Sequence, residues 1–461
     1  MVLDEILRHK RGELAARMAA TSLESLRARA VPTRRSLTAA LRAGRPGFIL
    51  EIKFASPSAG TIRPEADLAP VLASYGRHAD AVSVLTDQRF FGGSLQRLAL
   101  VRQRLDQPLL AKDFILEPYQ VAEARVHGAD AVLLILAAID DQSWHACAEE
   151  AGRLGMEVLT EVHDEVEASR AVALGAGIIG INNRDLRTLE VDPGTTARVA
   201  PCIPPDRLVV AESGITERET VVRLRPHADA FLVGSALMAA PDLDRAVRGL
   251  VYGRSKICGL TSADDAARSC EAGATHGGLM FAAGSPRRIP LSAARAVRAG
   301  APLEWVGVFA DQSPEEVAAA AAELGLAAVQ LHGNESDDQV VAVRGQVPAA
   351  TAVWKAERVR SAIPPRGHAD RLVLDGWAEG RLGGTGNRFD WSLLEAYPEK
   401  TDVVLAGGLR SGNVAAAAAL ATWMLDASSG VESAPGRKDP SLLRDFFLQR
   451  RRLPGRGDST A

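Results

Sequence analysis

The sequence predicts an α/β protein built from two tandem (β/α)8 TIM barrels, the first of which carries extra helices at its N-terminus. The chain has 461 residues, too many for one ordinary domain. Short runs rich in Val, Ile and Leu alternate with longer segments rich in Ala, Arg and Glu, which is typical of buried parallel strands and crossover helices. The alternation passes through about eight strands and then begins again, and about eight is the number at which such a sheet closes.

The strand candidates of the first half follow residues 1–45, which are expected to form added helices because Leu3, Ile6 and Leu7 share one helical face. The candidates lie at 47–53, 80–86, 107–113, 129–136, 155–162, 177–183, 207–213 and 229–235. A doubly wound open sheet is the alternative, but it usually has fewer strands and a Gly-rich turn after its first strand. Because no such turn follows Lys53, a closed barrel is favoured.

The second half repeats the architecture without a detectable repeat of sequence. Its candidates lie at 255–260, 275–280, 304–310, 327–333, 349–355, 371–376, 402–408 and 423–429. A boundary near Tyr252-Gly253-Arg254 separates two complete barrels better than two halves of one barrel. The predicted domains are therefore residues 1–252 and 253–461.

Composition limits the classes of partner. Hydrophobic residues make up 47% of the chain, charged residues 24%, and the formal net charge is −3, so bulk electrostatics predict neither a nucleic-acid nor a membrane partner. The first residues are charged throughout, and no run approaches the roughly 20 apolar residues that cross a bilayer. The four cysteines lack metal-ligand spacing, so no metal is expected and a reducing cytoplasm fits them best. A monomer is expected, because joined barrels bury surface that separate ones bury by dimerising.

Polar side chains stand at the ends of the first-half strands, where a barrel of this kind places its active site. They are Glu51, Lys53, Lys112, Glu161, Asn182 and Glu212. Charges at such positions are costly unless they pair, so two lysines and three carboxylates in one place suit general acid–base work on an anionic substrate. A structural network of salt bridges at the barrel rim is the alternative. The segments 212–215 and 233–237, at the ends of the last two strands, resemble the phosphate-binding loops of such barrels, although Gly-Ser pairs also form ordinary turns.

Six motifs of the first half together resemble indole-3-glycerol-phosphate synthase over essentially all of residues 1–250. They are EIKFASPSAGTIRP (51–64), SVLTDQRFFGGS (83–94), LLAKDFILEPYQ (109–120), LTEVH (159–163), INNRDL (181–186) and AESGI (211–215). The resemblance implies that Lys112 is the general acid of ring closure and Glu161 the base, assisted by Glu51. It implies that Lys53 holds the anthranilate carboxylate and can donate a proton during dehydration, while Glu212 supports the site. The resemblance further implies that Asn182 and Arg184 orient the substrate, and that Phe91 and Phe114 pack against the two faces of its aromatic ring. The residues that it implies for binding the phosphate are Ser56, Ser213, Gly214, Gly234 and Ser235.

The second half offers a thiol and a carboxyl group at strand ends. Cys258 lies on its first strand and Asp375 ends its sixth, and Gly- and Ser-rich loops follow the sixth, seventh and eighth strands. Such loops supply the backbone N–H groups that a phosphate requires. A buried cysteine is more often a small core residue, and an aspartate at a strand end is often a helix cap. Together, however, the pair can serve as base and acid for an aldose-to-ketose rearrangement without a metal or an organic cofactor.

Eight segments of the second half resemble phosphoribosylanthranilate isomerase from residue 255 to about 450. They are KICGLT (256–261), FAAGSPRRI (281–289), VGVFAD (306–311), VQLHG (329–333), LVLDG with GGTGNRFDW (372–376 and 383–391), LAGGL (405–409) and DASSGVE (426–432). The resemblance implies an Amadori rearrangement in which Asp375 protonates the ribose ring oxygen and Cys258 removes the C2 proton. It assigns the anthranilate carboxylate to Arg287 and the phosphate to Gly384, Gly386, Gly408, Ser428 and Ser429.

Two other functions are compatible with these barrels and their phosphate-binding loops. Barrels with such phosphate loops can hold flavin mononucleotide, which would make the purified protein yellow. Alternatively, one barrel could be an inactive scaffold, but both retain an acid, a base and phosphate loops. The sequence therefore predicts a bifunctional enzyme without a cofactor, acting on phosphorylated anthranilate compounds, in which the C-terminal barrel acts first.

Overall fold

The computed structural model describes residues 2–56, 60–64, 67–186, 188–376 and 389–456. These residues form two compact units, one comprising 2–247 with 453–456 and the other 248–452. Each unit contains one closed eight-stranded barrel, which confirms the predicted fold class. The division of the chain between Tyr252 and Gly253 stays a prediction.

The first barrel consists of eight parallel strands that pair in sequence order and close between the last and the first. They are β1 Gly47–Ile52, β2 Ala81–Leu85, β3 Leu109–Lys112, β4 Ala131–Ile135, β5 Glu157–Val162, β6 Ile178–Asn182, β7 Leu208–Glu212 and β8 Ala230–Val233. All eight fall within the predicted segments. The register places Asn182 opposite Glu212 and Glu51 opposite Ser83, so polar residues at the strand ends are neighbours around the barrel.

The helices of the first unit include three before β1, as predicted, and at least one after almost every strand. They are α1 Val2–Ala20, α2 Leu23–Arg29, α3 Leu37–Gly44, α4 Leu68–His78, α5 Gln88–Phe91, α6 Leu95–Arg102, α7 Pro118–Val126, α8 Asp141–Arg153, α9 Glu165–Ala173, α10 Thr195–Val199, α11 Arg218–Leu224, α12 Ser235–Ala239 and α13 Leu243–Tyr252. Several begin at a side-chain cap: Asp140 and Asp164 each accept a hydrogen bond from the backbone N–H three residues on. The division between the two units falls inside α13.

The second barrel repeats this topology with strands that again pair in sequence order. They are β9 Ser255–Cys258, β10 His276–Met280, β11 Glu304–Phe309, β12 Ala328–Leu331, β13 Ala352–Val359, β14 Arg371–Gly376, β15 Val403–Leu405 and β16 Met424–Ala427. The helices are α14 Ala263–Ala272, α15 Leu291–Ala299, α16 Pro314–Leu324, α17 Asp337–Arg344, α18 Val414–Ala419 and α19 Pro440–Arg451. No helix of the described part of the chain is both long and apolar enough to cross a membrane.

Helix α1 is fastened to the first barrel by a buried lysine. Lys10 is 2% exposed, and its ammonium lies 2.7 Å from Asp87 Oδ2 and 2.9 Å from Asp113 Oδ1. Burial disfavours the ammonium, but the charges of Asp113 and Asp87 outweigh that cost and raise the pKa of Lys10. Asp113 directly follows Lys112, and Asp87 also accepts a hydrogen bond from the backbone N–H of Phe90. The added helix therefore holds two loops at the C-terminal face of the barrel.

We expect Lys10→Met to lower the free energy of unfolding of the first unit by about 3 kcal/mol, because it leaves two buried carboxylates without their cation. Urea titration followed by circular dichroism measures the effect. Arg8→Met, an exposed position on the same helix, is the matched control. If both variants were equally stable, the buried network would not fasten α1.

Candidate active sites

The first barrel has a cavity of about 320 Å³ at its C-terminal face. Thirteen of the predicted first-barrel site residues line it: Glu51, Lys53, Phe91, Lys112, Phe114, Glu161, Asn182, Arg184, Glu212, Ser213, Gly214, Gly234 and Ser235. Ser56 lines a smaller adjoining cavity of about 70 Å³ together with Lys53 and Arg184. The residues that the sequence places at strand ends therefore lie close together in the fold.

Lys112 bridges two carboxylates in this cavity. Its ammonium donates to Glu212 Oε2 at 2.8 Å and to Glu161 Oε2 at 3.1 Å. Both glutamates are at most 2% exposed, whereas the Lys112 side chain is 15% exposed and reaches the cavity. The Lys112 ammonium can therefore contact a molecule bound in the cavity, while the two buried carboxylates fix the position of the ammonium.

Glu161 is surrounded by groups that favour its charged form. The Asn182 amide donates to Glu161 Oε1 at 3.0 Å, and His163 Nε2 lies 3.3 Å from the same oxygen. His163 also pairs with Glu167, and these two carboxylates raise the pKa of His163 to about 10 against the opposing effect of burial. Burial would raise the pKa of Glu161, but the charge of Lys112 and the contacts with His163 and Asn182 lower it overall.

The pKa of Glu212 is shifted in the opposite direction from that of Glu161, although both carboxylates contact Lys112. Burial raises the pKa of Glu212 to about 7, because the attraction of Lys112 is offset by the nearby charges of Glu161 and Glu51. Burial also disfavours the Lys112 ammonium, but the three carboxylates together raise the pKa of Lys112. Near neutral pH, Glu212 therefore changes its protonation state while Glu161 and Lys112 stay charged.

This pKa predicts a pH dependence of stability. A carboxyl group with a raised pKa in the folded state holds a proton that the unfolded chain has released, so stability falls as pH rises from the ordinary value of 4.5 towards 7. We expect wild type to lose on the order of 1 kcal/mol per pH unit in this window relative to Glu212→Gln. Urea titrations at intervals from pH 5 to pH 7 measure the difference in slope, and the exposed Glu219→Gln is the control. Parallel slopes in all three proteins would contradict the raised pKa.

Glu51 and Lys53 form a second ion pair at the same cavity. Lys53 Nζ lies 2.7 Å from Glu51 Oε1, and Glu51 is 3% exposed while Lys53 is 15% exposed. A side chain at Gly234 would bring a Cβ atom to 2.5 Å from the same oxygen, and one at Gly180 would overlap a carboxylate oxygen of Glu212. Two glycines on neighbouring elements thus leave room for these buried carboxylates.

The two predicted aromatic residues lie side by side in this structure. The ring centroids of Phe91 and Phe114 are 6.2 Å apart and the rings are tilted by 36°. A third ring between them would need about 7 Å, twice the usual contact distance between carbon atoms. The rings therefore form one aromatic wall here and would have to move apart to enclose a bound ring.

The loops after β7 and β8 have backbone conformations that expose N–H groups. Ser213 and Gly214 are consecutive residues with positive φ, 65° and 72°. Few residues other than glycine adopt this conformation, so its presence at Ser213 marks a loop shaped by its surroundings. After β8, Gly234 precedes the short helix α12, the arrangement in which barrels of this type bind phosphate.

The second barrel has a cavity of about 470 Å³ at the corresponding face. Six predicted residues line it: Cys258, Arg287, Asp375, Gly408, Ser428 and Ser429. Gly384 and Gly386 lie outside the described residues. Cys258 and Asp375 are 6% and 5% exposed, so both groups of the predicted acid–base pair are almost enclosed and border the same space.

The side chains around Cys258 and Asp375 are mostly engaged with one another. His332 Nε2 lies 3.6 Å from Asp375 Oδ2, and the other Asp375 oxygen accepts a hydrogen bond from the backbone N–H of Gly376 at 2.8 Å. Arg287 forms a bidentate pair with Glu432, with a shortest distance of 2.6 Å. The Arg287 guanidinium thus borders the cavity with one carboxylate already bound.

Loops with positive φ also follow the strands of the second barrel. Gly407 and Gly408 have φ of 87° and 64°, and both border the cavity after β15. After β16, the Ser428 hydroxyl donates to the backbone carbonyl of Cys258 at 3.1 Å, which ties this loop to the first strand.

Several polar residues of both sites are not among those predicted from the sequence. They are His163 in the first barrel and Lys256, Gln330, His332, Asp426, Glu432 and Lys438 in the second. Some had a signal: His163 and His332 lie within the motifs LTEVH and VQLHG, and Lys256 is two residues from Cys258 on one face of a strand. Lys438 had none, because its place depends on a hairpin of two short antiparallel strands, Glu432–Ala434 and Arg437–Lys438, after the last barrel strand.

Comparison with known proteins assigns a family to each barrel. The family model described as Indole-3-glycerol phosphate synthase matches residues 3–250, and that described as N-(5'phosphoribosyl)anthranilate (PRA) isomerase matches residues 255–449. The Tryptophan biosynthesis protein TrpCF of Salmonella typhi is 45% identical over 97% of this chain and 98% of its own length. The chain belongs to the TrpCF family. The TrpCF of Vibrio cholerae is likewise 45% identical, over 98% of this chain and 96% of its own.

Both resemblances found in the sequence are confirmed by this membership of the TrpCF family. The chain is a bifunctional enzyme of tryptophan biosynthesis with a synthase domain and an isomerase domain. Among solved structures, the phosphoribosyl anthranilate isomerase of Thermus thermophilus is 37% identical, covers 42% of this chain and 97% of its own, and has a TM-score of 0.39.

Proposed function

We propose that the two barrels catalyse consecutive steps in the order opposite to their order in the chain. The C-terminal barrel isomerises N-(5'-phosphoribosyl)anthranilate to the carboxyphenylamino-deoxyribulose 5-phosphate. The N-terminal barrel then closes the indole ring of that ketone, with loss of CO2 and water, to give indole-3-glycerol phosphate. The observation that carries the proposal is that each barrel has its own acid–base pair in a cavity bordered by Gly- and Ser-containing loops after its last two strands.

In the isomerase step, Asp375 donates a proton to the ribose ring oxygen, and the C1–O bond breaks to give a Schiff base. The Cys258 thiolate then removes the C2 proton, and the electron pair of that bond forms the enolamine, which tautomerises to the ketone. Arg287 binds the anthranilate carboxylate, for which its guanidinium has to exchange or share its contact with Glu432. The phosphate is held by the loops that contain Gly384, Gly386, Gly408, Ser428 and Ser429.

In the synthase step, Lys112 donates a proton to the substrate carbonyl oxygen while the aromatic carbon attacks the carbonyl carbon. Glu161 is the base, assisted by Glu51. Loss of the proton from Lys112 removes the positive charge 3.1 Å from Glu161, which makes that carboxylate more basic when a base is required. The two proton transfers are therefore coupled through one ion pair.

The other residues of the synthase cavity bind and orient the substrate. Lys53 holds the anthranilate carboxylate, and its ammonium is positioned at the cavity by its ion pair with Glu51. Lys53 can also donate a proton during dehydration. The remaining assignments are Glu212 for holding Lys112, Asn182 and Arg184 for orientation, Phe91 and Phe114 for the aromatic ring, and Ser56, Ser213, Gly214, Gly234 and Ser235 for the phosphate.

The test is to supply phosphoribosylanthranilate to the pure protein without any added cofactor and to follow the fluorescence of indole-3-glycerol phosphate. We expect product to form after a lag in which the ketone builds up. A colourless protein that forms product also removes the flavin alternative. Product formation that required a second protein would contradict the proposal.

We also propose that the enzyme acts as a monomer in the cytoplasm. Each cavity is lined by residues of its own unit, so neither needs a second copy of the chain to complete it. A reducing compartment keeps Cys258, which is free in this structure, as a thiol. Sedimentation at micromolar concentration tests the oligomeric state.

A further inference from the structure

A buried lysine lies directly below the proposed base of the isomerase. Lys256 and Cys258 are two residues apart on β9, and alternate residues of a strand point to the same side. The Lys256 side chain is completely buried, and its ammonium donates to Gln330 Oε1 at 2.7 Å and to Asp426 Oδ2 at 2.6 Å. The ammonium is thus held by partners from two other strands, which fix its place in the barrel.

The ion pair of Lys256 is continuous with the isomerase cavity. Gln330 and Asp426 both line the cavity that contains Cys258 and Asp375, whereas Lys256 lies behind them. The second Asp426 oxygen, Oδ1, is buried and has no hydrogen-bond partner among the described residues. Burial disfavours the Lys256 ammonium, but the charge of Asp426 and then that of the Cys258 sulfur raise the pKa of Lys256. The lysine therefore interacts with the thiol as well as with its carboxylate.

Several other charged groups surround Cys258. Burial raises the pKa of the Cys258 thiol, Lys256 is the largest influence that lowers it, and Asp426 opposes Lys256. Lys438 and Arg287 lower it less. Glu432 lies behind Lys438 and Arg287, and Asp375 and His332 border the same cavity.

The two other cations near Cys258, Lys438 and Arg287, are less suited to stabilising a thiolate at its sulfur. Lys438 Nζ donates to the backbone carbonyl of Cys258 at 2.6 Å and to Glu432 at 2.7 Å. Arg287 is bound bidentately by the same glutamate. One carboxylate thus offsets much of the positive charge of both groups, and Arg287 has the separate task of binding substrate.

We propose that Lys256 is a positioning residue of the isomerase, whose fixed ammonium stabilises the Cys258 thiolate and so offsets part of the cost of ionising this enclosed thiol. The proposal rests on the role of Cys258 given above. A thiol in an apolar cavity would otherwise be a poor source of thiolate at neutral pH, and an adjacent lysine is one of the groups that correct this in proteins. Asp426 fixes the position of the Lys256 ammonium, and its negative charge reduces the effect of that ammonium on the thiol.

The test is the pH dependence of alkylation of Cys258 by iodoacetamide, measured by mass spectrometry of the peptide that contains it. Only the thiolate reacts, so the midpoint of the rate profile reports the acidity of the thiol. In Lys256→Gln we expect the midpoint to move up by about one pH unit, which lowers the alkylation rate at neutral pH by about tenfold. Lys256→Arg keeps the charge and should restore the wild-type midpoint.

Two further variants keep the test decisive. Lys256→Met combined with Asp426→Asn removes both charges, so no unpaired charge remains in the barrel, and a smaller upward shift is expected. Lys355→Met is the matched control, because Lys355 is a buried lysine of the same barrel that pairs with Glu335 at 3.0 Å, away from Cys258. We expect no shift in this control.

An unchanged midpoint in both Lys256→Gln and the double variant would overturn the proposal, as would an equal shift in Lys355→Met. These outcomes can be distinguished from a failure of the proposed function. Alkylation reports the acidity of Cys258 whether or not the thiol is the base, whereas the base role is tested by the activity of Cys258→Ala.

Discussion

Replacing Lys112 by alanine is expected to lower synthase kcat/KM by about 10³-fold, the usual contribution of a positioned general acid. Isomerase activity should remain near that of wild type, so the ketone should accumulate when phosphoribosylanthranilate is supplied. Glu212, whose pKa is already about 7, takes up a proton when the cation is lost, which limits the cost of leaving two buried carboxylates. Chromatography of the reaction mixture measures the ketone directly.

A second substitution tests whether Lys112 is required as a proton donor or only as a positive charge. Lys112→Arg keeps a cation between Glu161 and Glu212, but a guanidinium does not release its proton near neutral pH. We expect it to restore stability without restoring synthase activity. If Lys112→Arg were as active as wild type, or if no ketone accumulated in Lys112→Ala, the assignment of Lys112 as the acid would be wrong.

Replacing Cys258 by alanine is expected to abolish isomerisation, because it removes the only atom to which the C2 proton is assigned. We expect a loss of about 10³-fold or more in isomerase kcat/KM. Synthase activity, measured with the ketone as substrate, should be unaffected. The two assays on one protein distinguish loss of a catalytic group from loss of the fold.

The matched control is Cys270→Ala. Cys270 is a buried cysteine of the same barrel, 5% exposed, on helix α14 rather than on a strand end. Its loss removes a similar volume without touching the cavity, so both activities should persist. Joint loss of isomerase and synthase activity in Cys258→Ala would contradict the independence of the two sites.

The fold could be predicted closely from the sequence because parallel barrel strands are buried on both faces. Such strands appear as short apolar runs, and fifteen of the sixteen predicted segments contain a whole strand of the structure, whereas β13 extends four residues beyond its predicted segment 349–355. The site followed from the fold, since a parallel barrel brings all strand ends to one face. Lys112 and Glu212, 100 residues apart in the chain, are in contact for that reason.

The contacts between side chains could not be predicted in the same way. Lys10 lies on a helix outside the barrel, and nothing in its neighbourhood shows that it reaches Asp87 and Asp113. The pairing of Arg287 with Glu432, 145 residues later, depends on a hairpin after the last strand. The sequence also placed Phe91 and Phe114 on either side of a ring, whereas their contact depends on loop conformation.

The grouping of residues 453–456 with the first unit makes that unit discontinuous in the gene. Arg456 donates to the backbone carbonyl of Ile203 at 2.8 Å and lies 3.5 Å from Asp229, so the end of the described chain belongs to the synthase barrel. A single cut after residue 252 would give a synthase fragment that lacks this segment. A synthase fragment for separate expression would therefore have to carry residues 453–456 as an added C-terminal peptide to keep these contacts.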